Sequence, residues 1–179
     1  DVYGVTRESY GPGEQAAHDL VAEIARELGL EVNTDAAMNT YMTWPGRDRT
    51  ARAKFVGSHL DSVPKGGNFD GAAGVVSGLT AIRALQSVRA QPNADITVMG
   101  IRAEESCWFG VSYIGSRSAL GTLPSDALEN ARRADDGRPL AEHLSACGGD
   151  PDRLRDTAPY LDQKRIAAFL EPHIEQGPV

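Results

Sequence analysis

Apolar residues recur at Ala16, Ala17, Leu20, Val21, Ile24, Ala25 and Leu28, a spacing that predicts a helix over residues 13–28, with Gly29 as its stop. Alternation then takes over at residues 30–33 and 38–44, predicting two strands with Asn39 near a turn. Pro45-Gly46-Arg47-Asp48 reads as an exposed turn. Residues 53–58 form a hydrophobic run that feeds His59 and is closed by Pro64, the pattern of a buried strand whose end emerges at a sheet edge. A glycine-rich loop, Gly66-Gly67-Asn68-Phe69-Asp70-Gly71, leads into a helix over residues 72–89 with Val75, Val76, Leu79, Ile82 and Leu85 on one face. Its small residues Ala72, Ala73, Gly74 and Gly78 allow a close approach to a neighbouring element. Residues 95–101 predict another strand, leading into Arg102-Ala103-Glu104-Glu105. A loop with Trp108 and Phe109 and a short helix near 114–120 follow. Residues 121–165 are polar, with helical candidates at 139–147 and 151–156, and 166–170 reads as a last strand running into Glu171-Pro172-His173.

Strand, crossover helix and strand in succession predict an α/β fold with a largely parallel sheet. The 179 residues, 41% hydrophobic, suit one domain with a closed core. A net charge of −7 disfavours nucleic acid and anionic membranes as partners. No apolar run approaches the roughly 18 residues that span a bilayer. Cys107 and Cys147 make neither a disulfide framework nor a CxxC pair, which predicts a reducing, cytoplasmic setting. Asp1-Val2-Tyr3-Gly4 carries no basic-then-apolar leader and no initiator Met, so the chain reads as processed, trimmed or cut from something longer.

Three predicted strands end in residues of metal-ligand type: His59 with Asp61, Glu104 with Glu105, and His173. Asp70 lies on the loop after the first of them. Parallel strand ends share one sheet edge, so these groups can meet in space. Imidazole and carboxylate together suit Zn²⁺ or a similar divalent ion such as Mn²⁺, Co²⁺ or Ni²⁺. Each piece has a plainer reading on its own. His-x-Asp can be a strand-end hydrogen bond, Glu-Glu a solvated acidic pair, and the glycines turn formers. Cys107 reads as a packed small residue, Trp108 as core or a pocket wall, and His18 and His143 as exposed residues without a role.

The blocks Gly57-Ser58-His59-Leu60-Asp61-Ser62-Val63-Pro64, Gly66-Gly67-Asn68-Phe69-Asp70-Gly71, Glu104-Glu105 and His173-Ile174-Glu175-Gln176-Gly177-Pro178 resemble the M20 metallopeptidase-like amidohydrolases. Within them the match is to the hydantoinase/carbamoylase branch of N-carbamoyl-L-amino-acid amidohydrolases, β-ureidopropionases and allantoate amidohydrolases. The resemblance implies a three-layer αβα catalytic domain of the zinc-exopeptidase type. It implies two divalent metal ions, with His59, Asp70, Glu105 and His173 as ligands and Asp70 bridging. Glu104 is then the general base, Asp61 orients His59, and Gln176 touches a small-molecule substrate. A cis peptide after Asp70 is expected by the same analogy. The implied activity is hydrolysis of linear amide or ureido C–N bonds, with a related peptidase or deacylase as the alternative. Residues 1–179 would be the N-terminal part of the catalytic domain, with a lid that forms a homodimer expected after Val179. A chain lacking that part, a late His ligand and a substrate-binding Arg is expected to be inactive by itself. Relatives carry an Arg where this chain has Trp108, which leaves the substrate open.

Overall fold

The computed structural model describes residues 4–156 and 158–174. Helix α1, Pro12–Glu27, starts with proline in its first turn, where the ring's fixed φ suits the helix and the missing N–H is no loss. It stops before Gly29, at φ +72°. Strands β1, Glu31–Thr34, and β2, Thr40–Trp44, form an antiparallel pair. Strand β3, Ala53–His59, passes through the loop at Asp70 into helix α2, Ala72–Ser87, and on to strand β4, Ile96–Ile101. The short helices α3, Ser106–Phe109, α4, Ile114–Ala119, α5, Ala127–Asn130, α6, Leu140–Ala146, and α7, Pro151–Arg155, lead to strand β5, Ile166–Leu170.

The strand order is β1-β2-β4-β3-β5, with β3 parallel to both β4 and β5 and β2 antiparallel to β4. The expected α/β architecture is present as a mixed sheet whose parallel half carries the candidate residues. Helices α1 and α2 cover one face, burying Val21, Ala25, Val75, Leu79 and Ile82 against Met42, Trp44 and Val98. The other face presents Tyr41, Phe55, Met99 and Ile101 to Ala119 of α4. A separate cluster around Trp108, Phe109, Ile114, Leu140 and Leu144 holds the short helices together.

Helix α1 is turned differently from its apolar stripe. Its buried positions are Glu14, His18, Val21, Ala22 and Ala25, whereas Leu20 and Ile24 face solvent. The reason is polar: Glu14 meets Arg102, and His18 Nδ1 lies 2.8 Å from Thr40 Oγ1. His18, expected exposed, is therefore buried. So is His143, which sits between Asp136 and Arg133 and edge-on to Phe109. Trp108 is core, its indole N–H donating to the Ser62 carbonyl at 2.8 Å. Cys107, expected packed, is exposed, because the single turn of α3 buries Trp108 and Phe109 instead.

Candidate metal centre

Because β3, β4 and β5 run in parallel, their C-terminal ends open on one edge. His59 closes β3, Glu104 and Glu105 follow β4, and His173 follows β5. Asp70 arrives from the loop ahead of α2 and is nearly fully buried. The imidazoles of His59 and His173 lie 5.3 Å apart, centre to centre. Asp70 Oδ1 stands 3.7 Å from His59 Nε2 and 3.7 Å from His173 Nε2, and Glu104 Oε2 is 3.9 Å from His59 Nε2. Two ligands of one tetrahedral ion with bonds near 2.0–2.1 Å stand about 3.4 Å apart, so these spacings suit shared cations. Two groups keep candidate ligand atoms within 4.8 Å of one another: His59 with Asp70 and His173, and His59 with Glu104 and Glu105. His59 joins them. Its Nε2 is buried and, among the described residues, has no hydrogen-bond partner, which is how a nitrogen aimed at a cation looks.

The opposite ring nitrogen is fixed from behind. His59 Nδ1 lies 3.0 Å from the Asp61 carbonyl and 3.3 Å from its carboxylate. That leaves Nε2 to face the site. Asp61 does a second job, accepting the backbone N–H groups of Glu104 and Glu105 at 3.1 Å each and the Ser9 hydroxyl at 2.6 Å.

Five carboxylates, of Asp61, Asp70, Glu104, Glu105 and Glu171, crowd two imidazoles here. Burial raises Glu105 to about 7, with Glu104 and Asp61 adding to it against the pull of His59. Burial also raises Glu104 above the usual carboxylate range, opposed by His59. Burial opposes charge on His59, yet Asp61, Glu104 and Asp70 outweigh it and raise its pKa to about 9. An excess of negative groups around a buried imidazole is the electrostatic setting that a divalent cation relieves.

The predicted site residues thus come together, apart from Gln176, which lies outside the described residues. The described backbone contains no cis peptide, so the bond after Asp70 is trans. The chain reverses there through Gly71 at φ +65°, where a Cβ would stand 2.4 Å from the His59 carbonyl oxygen. Only glycine combines that φ with that proximity.

Other contributors escaped the sequence reading. Arg7 donates to the Leu60 carbonyl at 2.5 Å and the Asp70 carbonyl at 3.2 Å, tying the two halves of the β3–α2 connection. Ser58 Oγ donates to Glu171 Oε1 at 2.8 Å, which stands 3.6 Å from His173 Nδ1. Glu14 accepts from Ala103, just ahead of Glu104. An arginine in a polar leader and a glutamate in a first helical turn are ordinary, so neither carried a signal. A cavity of about 630 Å³ opens beside His173 and Glu104, walled by Met99, Ile101, Tyr113, Leu161 and Phe169.

Residues 39–130 match the model of Peptidase family M28. The chain is 42% identical over 176 residues to an N-carbamoyl-L-amino acid amidohydrolase of Geobacillus stearothermophilus, covering 98% of this chain and 42% of that protein. It is 31% identical to a ureidoglycolate hydrolase of Oryza sativa subsp. japonica, covering 99% and 37%. Among solved structures, a hydantoinase/carbamoylase family amidase from Burkholderia ambifaria superposes with a TM-score of 0.85 at 35% identity, covering 98% of this chain and 42% of that one. The chain therefore spans about two fifths of the length of the relatives it matches.

Proposed function

The chain belongs to the hydantoinase/carbamoylase family of the M28/M20-like peptidases, and from that premise we propose that the complete protein is a metal-dependent hydrolase of linear C–N bonds acting on N-carbamoyl or ureido compounds. One observation carries the reading: His59 and His173, 114 positions apart, face the same oxygen of Asp70 at the same 3.7 Å, with Glu104 beside them.

His59, Asp70, Glu105 and His173 would hold two divalent ions, Zn²⁺ by the imidazole and carboxylate set, with Asp70 between the imidazoles. When bound, such ions polarise the substrate carbonyl and make the attacking water more acidic. Asp61 keeps His59 Nε2 pointed inward through Nδ1. Glu104 takes the proton of the attacking water and delivers it to the leaving nitrogen. Burial raises its pKa, opposed by His59, which makes it a stronger base than a solvated glutamate. The apolar walls of the adjoining cavity suit the side chain of an amino-acid-derived substrate. Gln176 is assigned to substrate contact on the motif alone. A lid domain after Val179, dimerisation through it, and a cytoplasmic setting belong to the same proposal. Two cysteines in no disulfide agree with the last, and no helix of the described residues is long and apolar enough to cross a membrane.

Glu104→Gln in the complete protein tests the reading. The carboxamide keeps the shape and cannot accept the proton, so metal content should stay and turnover should fall by about 10²-fold or more. Turnover like that of the wild type refutes the assignment. The name of the matching family model favours one rival, a peptidase on the same residues. A panel of carbamoyl, ureido, acyl and dipeptide substrates separates the two, and preference for dipeptides favours the rival.

A further inference from the structure

The turn that presents Glu104 and Glu105 has no sheet partner of its own, yet its backbone is held at every amide from 102 to 105. Arg102 N–H donates to Asn39 Oδ1 at 2.9 Å, Ala103 N–H to Glu14 Oε1 at 2.8 Å, and the Glu104 and Glu105 N–H groups to Asp61. The carbonyls of Arg102, Ala103 and Glu104 accept from the N–H groups of Gly115, Ile114 and Tyr113 at 3.0 Å each. Ala103 is fully buried at φ +49°, a left-handed conformation that alanine rarely adopts. Something must hold it there.

Glu14 is placed to do so. It is fully buried in the first turn of α1, and it makes three bonds at once. Oε1 takes the Ala103 N–H, while Oε2 takes the Tyr10 N–H at 2.7 Å and Arg102 Nη1 at 3.0 Å. Arg102 is itself buried and is spread over the Met38 carbonyl at 3.0 Å and Gln15 Oε1 at 2.5 Å. Removing one partner of a buried ion pair of this kind leaves the other charge uncompensated, so the position tolerates little change. Tyr10 N–H binds Glu14 while its neighbour Ser9 binds Asp61, so the two carboxylates under the turn share one backbone support.

We propose that Glu14 is a positioning residue: through Ala103 it sets where the Glu104 and Glu105 side chains stand. The proposal rests on the reading that those two glutamates do the chemistry and hold metal. Glutamine at position 14 must turn its NH₂ toward one of three donors, and aspartate is one methylene too short to reach Ala103.

The test uses the complete protein with Glu14→Gln, Glu14→Asp, and Ile82→Val as a core control far from the turn. Melting temperature, kcat, KM and Zn²⁺ affinity by chelator competition are measured well below the melting range. Expected is a fall in kcat of tenfold or more in Glu14→Gln with KM within about threefold of wild type, and a several-fold weaker Zn²⁺ affinity from the displaced Glu105. Glu14→Asp keeps the charge but withdraws the acceptor from the Ala103 N–H, so kcat and Zn²⁺ affinity should fall at least as far as in Glu14→Gln. Ile82→Val should lower the melting temperature and leave kcat and Zn²⁺ affinity alone. Should Glu14→Gln fail to fold, Glu14→Asp carries the same readouts. The inference is overturned if a folded Glu14 variant keeps both wild-type kcat and wild-type Zn²⁺ affinity, or if Ile82→Val loses as much of either. Failure of the underlying reading shows differently, as full turnover in Glu104→Gln; the Zn²⁺ arm then decides the inference alone.

Discussion

The Asp61 carboxylate accepts the backbone N–H of Glu104 at 3.1 Å, so the residue that steadies His59 also steadies the turn carrying the proposed base. Asparagine at position 61 offers one oxygen where two are used, and its NH₂ must face a donor. Asp61→Asn should therefore lower turnover or metal affinity by about 10–100-fold, the range for a residue that orients a ligand. The buried donor left without an acceptor should cost roughly 1–3 kcal/mol of stability. Steady-state kinetics with urea unfolding check both, and an unchanged kcat with unchanged metal affinity contradicts the role.

Metal addition gives a reading that needs no substrate. An ion that binds the folded state stabilises it by about 2.7 kcal/mol at 100 times its Kd. His173 is half exposed, so His173→Ala removes a proposed ligand at little structural cost. Zn²⁺ should raise the melting temperature of the complete protein, and His173→Ala should lose most of that increment while melting normally without metal. Equal Zn²⁺ increments in the two proteins would remove His173 from the ligand set.

The succession of strands along the chain and the edge where their ends meet were readable from the hydrophobic pattern, because β3, β4 and β5 are runs that end at, or within three residues of, a histidine or a glutamate pair. The meeting of His59, Asp70, Glu104 and His173 followed from parallel topology alone. What was not readable was the polar support beneath them. Glu14 and His18 lie at helical spacing with Val21, Ala22 and Ala25, but a scale that counts only apolar positions turns that face outward and buries Leu20 and Ile24 instead. The rotation of α1 is settled by Arg102 and Thr40, residues 88 and 22 positions away, and no local pattern contains them. His143 was misread for the same reason, since Asp136 and Arg133 fold back onto it across a turn.

Gly74 of α2 lies so near β3 and the end of β5 that a Cβ there would stand 2.6 Å from the Pro172 carbonyl oxygen and 2.7 Å from Ser58 Cβ. Its φ does not demand glycine, so alanine improves the helix locally while pressing on the backbone next to His173. Gly74→Ala should then destabilise the protein by about 1–3 kcal/mol, as overpacking does, and weaken Zn²⁺ binding through His173. A rise in melting temperature with unchanged Zn²⁺ affinity would show that the segment yields without consequence.

Burial, and then the Arg102 guanidinium, hold the His18 imidazole well below its usual pKa, so it stays neutral in the folded chain as the pH falls. The unfolded chain takes a proton at His18 below about pH 6.5. From there downward the unfolded state binds the extra proton, and stability drops by up to about 1.4 kcal/mol per pH unit until the depressed folded pKa is reached. Above pH 6.5 both states are neutral and the slope from this residue vanishes. His18→Leu removes the titrating group and leaves Thr40 without its partner, a pH-independent loss of about 1 kcal/mol. Urea unfolding of both proteins from pH 5 to pH 8 should give curves that run parallel above pH 6.5 and converge below it, the wild type losing stability faster. Curves that stay parallel down to pH 5 would mean that His18 accepts a proton in place.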